Sequence, residues 1–279
     1  MPRKAKYSTG RKPKVLEGKL LTPNAGVASR YDRRLRALIA LMTTETLRGV
    51  RSLFAEPHPA DVFALDAGIV DQAKHLMASL TFKFDNLFAS HSKPIATLMI
   101  EENSDASEAA IKSSMSALAE GLSLNTGAIT AELGDVFTAS IAENVVLIKS
   151  IPAQYLQQVQ GEVYRAISNG NGLSELVPAL QKYKGITERR ARLIASDQVR
   201  RSFTNINQIR LKNMGIKKFE WLHSHGRTTP RPLHVEYDHQ IFLMDEPPII
   251  DLKTGQRGYP GQLINCFCKM KPLVSFDYD

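Results

Sequence analysis

Four histidines crowd one short stretch, His223, His225, His234 and His239, and the chain's two cysteines follow them as Cys266 and Cys268, with one residue between. Thiolate sulfur and imidazole nitrogen are the ligands that zinc prefers, and a structural zinc site needs four of them. His234, Cys266 and Cys268 supply three, and His239 or Asp238, or else His223 or His225, could complete the set. A Cys-x-Cys pair is shorter than the two-residue spacing usual in zinc motifs, so a second reading stands beside the first: two buried free thiols in a tight turn, next to a histidine bonded to backbone. A disulfide between cysteines this close would close a small, strained ring.

The same residues contain the elements of nucleophilic catalysis, with Cys266 as thiol, His234 as base and Asp238 to orient the imidazole. No sequence signature of a cysteine or serine hydrolase surrounds them, and no His-Glu-x-x-His pattern is present. The neighbouring acids Asp245 and Glu246 precede Pro247 and Pro248 and read as a solvated loop. The chemistry indicated is binding and scaffolding, with no catalytic residue and no cofactor beyond the structural zinc. A separate constellation lies upstream, where Arg189, Arg190, Arg192, Arg200, Arg201 and Arg210 stud one helical stretch. Arg192 and Arg200 are eight residues apart and fall near one face, which Arg189 also approaches. With Arg201 they form a set able to grip phosphates without reading bases. Pairing with acids of the preceding region is the alternative use of the same charges.

These residues must be positioned by the elements around them. Leu35, Leu38, Ile39 and Met42 recur at spacings of three and four, the signature of a helix face. Glu56 to Pro59 should break that helix. A second is predicted from Asp71 to about Ser90, interrupted at Ser92-Lys93-Pro94, with Ile95 to Asn103 readable as helix or strand. Ile111, Met115, Leu118 and Leu122 mark another helix, Thr126 to Ser150 one or two more, and Ile151-Pro152 their end. After a helix from Gln154 to Ser168 and the loop Asn169 to Gly172, a short helix should run from Leu173 to Tyr183 and stop near Gly185. Thr187 then reads as an N-cap for the arginine helix, which ends at about Asn213 with Gly215 in the left-handed position. Beyond Ile216 the period changes to the alternation of short strands, with Phe219, Trp221 and His223 on one side. The fold class expected is α+β, a mostly helical N-terminal region followed by a small α+β C-terminal domain. The boundaries read as a basic disordered arm over 1–25, a helical region over 26–170 and a C-terminal domain over 171–279.

Charge follows these divisions. Residues 1–36 hold eleven Lys/Arg against two Asp/Glu, residues 37–180 hold eight against sixteen, and residues 181–279 hold seventeen against ten. Basic ends around an acidic middle indicate separate partner surfaces, with nucleic-acid phosphate an obvious partner for the ends. At 279 residues and 43% hydrophobic the chain can bury a core. No continuous apolar run is long enough for a membrane span, and the basic N-terminus lacks the apolar stretch of a signal peptide, so the protein is expected to be made and first used in a reducing cytoplasm.

The order of the C-terminal motifs resembles one known family. Arg190-Ala191-Arg192-Leu193-Ile194-Ala195-Ser196-Asp197-Gln198 stands where that family has R-A-x-x-I-A-R-T-E. Asn205, Gly215 and Trp221 follow in order, and then Gly226 to His234 in place of D-x-R-x-R-x-x-H. Asp238-His239-Gln240-Ile241-Phe242 lacks the glycine usual after the aspartate, whereas Pro247-Pro248, Gly255, Tyr259-Pro260-Gly261 and Asn265-Cys266-Phe267-Cys268 fit. Over roughly residues 172–274 the chain is similar to the C-terminal domain of the phage Mu F-like head morphogenesis family, the minor head proteins. The resemblance implies a structural, portal-associated component of a tailed phage or prophage, located in the virion head and, during assembly, in the host cytoplasm. It implies portal, capsid or scaffold proteins as partners and allows contact with packaged double-stranded DNA. The alternative is a sequence-independent DNA-binding assembly factor with a structural zinc site.

Overall fold

The computed structural model describes residues 14–55, 66–116, 127–225 and 230–276. The predicted helix stop at Glu56 to Pro59, the Leu118 and Leu122 end of the third helical stripe, and Gly226 to Thr229 of the resemblance lie outside these residues. The chain is α+β: long helices come first and small antiparallel sheets follow. It divides into two compact units, and the division is not a single cut near residue 170.

One unit comprises Pro23–Ala106 and Thr130–Phe203. It is built from α1 (Ala25–Leu53), most of α2 (Asp66–Met115), α3 (Ala131–Ser168) and the first three quarters of α4 (Leu173–Asn213). Asn24 starts α1 by accepting a hydrogen bond from the Gly26 N–H through its side-chain oxygen at 2.8 Å. The predicted stripe Leu35, Leu38, Ile39 and Met42 is buried, and it meets Phe84, Phe88 and Met99 of α2, Ile148, Tyr155 and Val159 of α3, and Ala191, Ile194 and Val199 of α4 in one core. Each such large apolar side chain stabilises the fold by about 1.5–3 kcal/mol. Some polar groups inside it pair across the helices: the Tyr31 hydroxyl donates to Asn144 Oδ1 at 2.8 Å, and the Asn103 amide nitrogen donates to the Val199 carbonyl at 2.8 Å and to Ser202 Oγ at 2.7 Å.

Three predicted interruptions are absent: α2 runs through Pro94, α3 through Pro152, and α4 through Gly185 and Thr187. Proline removes one backbone donor, so carbonyls of the preceding turn need other partners. Ahead of Pro94, Ser90 Oγ donates to the Leu87 carbonyl and Ser92 Oγ to that of Ala89, both at 2.9 Å, so these hydroxyls bond back within their own turns. Ser150 Oγ does the same for Leu147 at 2.6 Å, ahead of Pro152. Thr187 is not a cap; its hydroxyl donates back to the Tyr183 carbonyl at 2.8 Å. Burial of the continuing apolar faces outweighs the local preference for a break. By length and composition α3 is also apolar enough to cross a membrane, which a search for unbroken apolar runs passes over. Its Ile148, Ile151, Tyr155, Leu156, Val159 and Val163 belong to the core of this unit.

The second unit comprises Met1–Thr22, Ser107–Ile129 and Thr204–Asp279. Its main sheet has the order β1-β6-β2-β3, from β1 (Lys14–Glu17), β2 (Lys218–Leu222), β3 (Ile241–Leu243) and β6 (Lys269–Phe276), all neighbours antiparallel. A short α5 (Pro232–Glu236) and a ribbon of β4 (Ile249–Asp251) with β5 (Gln256–Arg257) complete it. The expected arm over 1–25 is corrected here. Lys14–Glu17 pairs with the outer edge of β6, the Gly18 N–H donates to the Pro272 carbonyl at 2.9 Å, the Leu21 N–H donates to that of Met270 at 3.0 Å, and Leu21 is buried. Residues before Lys14 lie outside those described. The open edge of β6 supplies the ladder of hydrogen bonds that composition alone cannot reveal.

Candidate functional site

The site lies in the second unit and is assembled from three connections. The first is the end of α4. The Gly215 N–H donates to the Lys212 carbonyl at 2.8 Å and the Ile216 N–H to that of Leu211 at 3.0 Å, with Gly215 at φ 76°. This is the paired-bond helix stop that the sequence predicts, and it turns the chain into β2. Along β2, Phe219 and Trp221 are fully buried, as their alternation requires.

The second connection carries His234. Pro232 opens α5, whose fixed φ suits the first helical position, and His234 follows on the buried side. The Trp221 indole packs edge-on against the His234 ring at 5.0 Å between centroids, and Tyr237 and Phe242 extend the aromatic cluster. His234 Nε2 lies 3.1 Å from the Ile250 carbonyl, an acceptor only. That contact places the ring proton on Nε2 and leaves the Nδ1 lone pair free.

The third connection carries the cysteines. Tyr259-Pro260-Gly261 is clamped to the last turns of α4: Thr204 Oγ1 donates to the Pro260 carbonyl at 2.9 Å, and the Gln262 amide donates to Asn205 Oδ1 at 2.7 Å. Gly261 has φ 92°, and a Cβ there would come within 2.8 Å of Thr204 Oγ1, so only glycine suits the clamp. Asn265, at φ 59°, then turns the chain so that Cys266 and Cys268 face inward. Arg231 ties the two loops together by donating to the Ile264 carbonyl at 2.9 Å.

His234, Cys266 and Cys268 therefore meet. Nδ1 is 3.4 Å from Cys266 Sγ and 3.7 Å from Cys268 Sγ, the ligand atoms all lie within 4.8 Å of one another, and all three residues are buried. Both cysteines are free thiols. The two thiols titrate as a pair. Cys266 is pushed down, because the hydrogen bond from Cys268 outweighs burial. Cys268 is pushed up, because it holds that proton and is buried. A cavity of about 270 Å³ adjoins the group, lined also by His223, Ser224 and Arg231.

Asp238 and His239, expected among the fourth ligands, are engaged elsewhere. Asp238 Oδ1 accepts the His223 backbone N–H at 2.7 Å and Oδ2 meets His225 Nε2 at 2.6 Å. His239 Nδ1 pairs with Glu220 at 2.8 Å, on the exposed side of β2. His239 has φ 61°, the left-handed conformation that the glycine expected after Asp238 would adopt. Among the described residues, only His234, Cys266 and Cys268 form such a ligand group.

The arginines divide into two sets. Arg200 pairs with Asp197 of its own helix at 3.4 Å, and Arg201 pairs with Glu143 at 2.5 Å. Arg189 and Arg192 are exposed on one side of α4, three residues apart. Part of the basic N-terminal block is neutralised in the same way. Arg30 and Arg34 both bind Glu102, at 3.0 and 2.6 Å, and Arg36 binds Asp32. The pairs on Glu102 and Glu143 are tertiary and left no signal in the sequence beyond the opposite charges of the blocks, whereas Arg36 with Asp32 and Arg200 with Asp197 are neighbours one helical turn apart.

The chain is 35% identical over 136 residues to an uncharacterized protein of Haemophilus influenzae, a match covering 49% of this chain and 29% of that protein. The chain thus spans less than a third of the relative's length. No solved structure matches it. Residues 157–271, from the last turns of α3 through the cysteine loop and into β6, match the family model described as Phage Mu protein F like protein, the family to which the order of motifs pointed.

Proposed function

We propose that this chain is a head morphogenesis protein of a tailed phage or prophage, a structural component that acts by binding at the portal vertex during capsid assembly. The observation that carries this reading is the family match over residues 157–271, which covers the elements that build the second unit's site. The geometry supports binding over catalysis. The His234 imidazole is held between the Ile250 carbonyl and two thiols, and Cys266 is 3% exposed, an arrangement suited to a fixed structural centre. In this reading the partners are portal, capsid and scaffold proteins, and the protein belongs to the virion head after assembly in the host cytoplasm. Co-expression with the cognate portal and pull-down at low and moderate salt, together with mass spectrometry of purified procapsids and virions, tests it. The expected result is retention on portal and presence in particles. Absence from both would sink the proposal.

Contact with packaged DNA is a second property of the same reading. The observation that favours it is the exposed pair Arg189 and Arg192 on α4, in a chain of net charge +8. Such a pair would hold phosphates without selecting sequence.

A further inference from the structure

We propose that His234 Nδ1, Cys266 Sγ and Cys268 Sγ form a binding site for one zinc ion, with the fourth coordination position open to the adjoining cavity. The inference is independent of any role in head assembly. Three observations converge on it. The donor set is the one zinc prefers, one imidazole and two sulfurs, and the atoms already lie within 4.8 Å of one another on buried residues. The imidazole is oriented as ligating histidines are: its far nitrogen donates to a backbone carbonyl, that of Ile250, so its lone pair points to the sulfurs. The two loops are fastened beside the site by the Arg231 to Ile264 bond and by the clamp of Thr204 and Asn205 on residues 260–262, so the donors come together with little further ordering.

The fourth position follows from the neighbours. Asp238 and His239 are engaged with His225 and Glu220. His223 lines the cavity, but its Nδ1 accepts the His225 backbone N–H at 3.2 Å, which leaves that nitrogen occupied. The cavity of about 270 Å³ leaves a water as the fourth ligand. Binding displaces the thiol protons to solvent, so both sulfurs coordinate as thiolates.

The test uses the full chain, purified under reducing conditions. Elemental analysis is expected to find about one zinc per chain, or about one taken up when zinc is titrated into chelator-treated protein. Cobalt is expected to give the thiolate-to-metal charge-transfer absorption of a two-sulfur site. The protein's single tryptophan, 5.0 Å from the His234 ring, should report the titration by a fluorescence change. Zinc should also slow alkylation of both cysteines. Cys268→Ser and His234→Ala should each abolish uptake, whereas His239→Ala, exposed and outside the ligand set, should retain it. Should the ligand variants fail to fold, alkylation of the unaltered chain with and without zinc decides the matter. A folded chain that takes up neither metal and whose thiols react at the same rate with and without zinc would overturn the proposal, as would loss of the metal in His239→Ala.

Discussion

His234 is held in place largely by Trp221, and the indole is in turn closed in by Tyr237 and Phe242. Trp221→Ala removes a fully buried side chain from the middle of the second unit and should cost about 3–5 kcal/mol. Denaturant unfolding followed by circular dichroism measures this, since the substitution also deletes the tryptophan signal. Glu102 offers a pH-dependent case in the first unit. Burial alone would raise its pKa, but the hydrogen bonds from Arg34 and Arg30 outweigh it and hold the carboxyl below the ordinary value. A lowered folded-state pKa contributes stability that is present above the unfolded value, roughly 4.3, and is lost as pH falls through the folded one. Glu102→Gln should therefore destabilise at neutral pH by about 1 kcal/mol, and the difference should shrink as pH falls below the unfolded value and vanish below the folded one. Thermal melts at pH 7 and pH 3.5 check the sign, and a difference that persists unchanged at the lower pH would contradict it.

Among the helices, Pro94 is the clearest case of local preference overruled. It is exposed, lies within α2, and lacks the donor that position would otherwise supply. Pro94→Ala restores one helical hydrogen bond and relieves the clash with the preceding turn, so it should stabilise the protein by about 1–3 kcal/mol. A melting temperature that falls on this change would mean that the proline sets a bend the packing needs. The N-terminal strand gives a second test. Compared with a chain lacking residues 1–13, one lacking 1–17 also loses β1, exposes the edge of β6 and loses the ion pair between Glu17 and Lys271. The longer deletion should lower the melting temperature of that unit and increase aggregation, because an uncovered strand edge is a template for pairing. Equal behaviour of the two truncations would return β1 to the status of a passive arm.

Charge decides what the molecule as a whole can bind. Neutralised pairs do not release counterions from DNA, so only the unpaired arginines should contribute to the salt dependence of binding. The doubly substituted Arg189→Gln, Arg192→Gln chain should lower the slope of log affinity against log salt by roughly 2. Arg201→Gln, already balanced by Glu143, should change it little. Electrophoretic shifts on two unrelated duplexes across a salt series measure both slopes. Identical slopes in the parent and the double variant would remove this face of α4 from any DNA contact.

Periodicity alone revealed the inward faces of the helices, the alternation of β2, and the stop at Gly215, because each depends on neighbours a few residues apart. The likeness of the C-terminal third to a phage head family was also legible, since it rests on the order of motifs. The sequence shows the local cost of Pro94, Pro152 and Gly185 but not the burial that offsets it, so the interruptions expected there do not form. The pairing of Lys14–Glu17 with β6 joins opposite ends of the chain, and nothing local marks it. At the site, the residue types named His234, Cys266 and Cys268, yet whether they meet, and that Asp238 and His239 do not join them, depends on loops fastened by distant groups. The same holds for the arginines. Their spacing put Arg192 and Arg200 on one side; the pair of Arg200 with Asp197 is local to the helix, but that of Arg201 with Glu143 was decided by packing, since an ion pair needs proximity in space and sequence supplies only the charges.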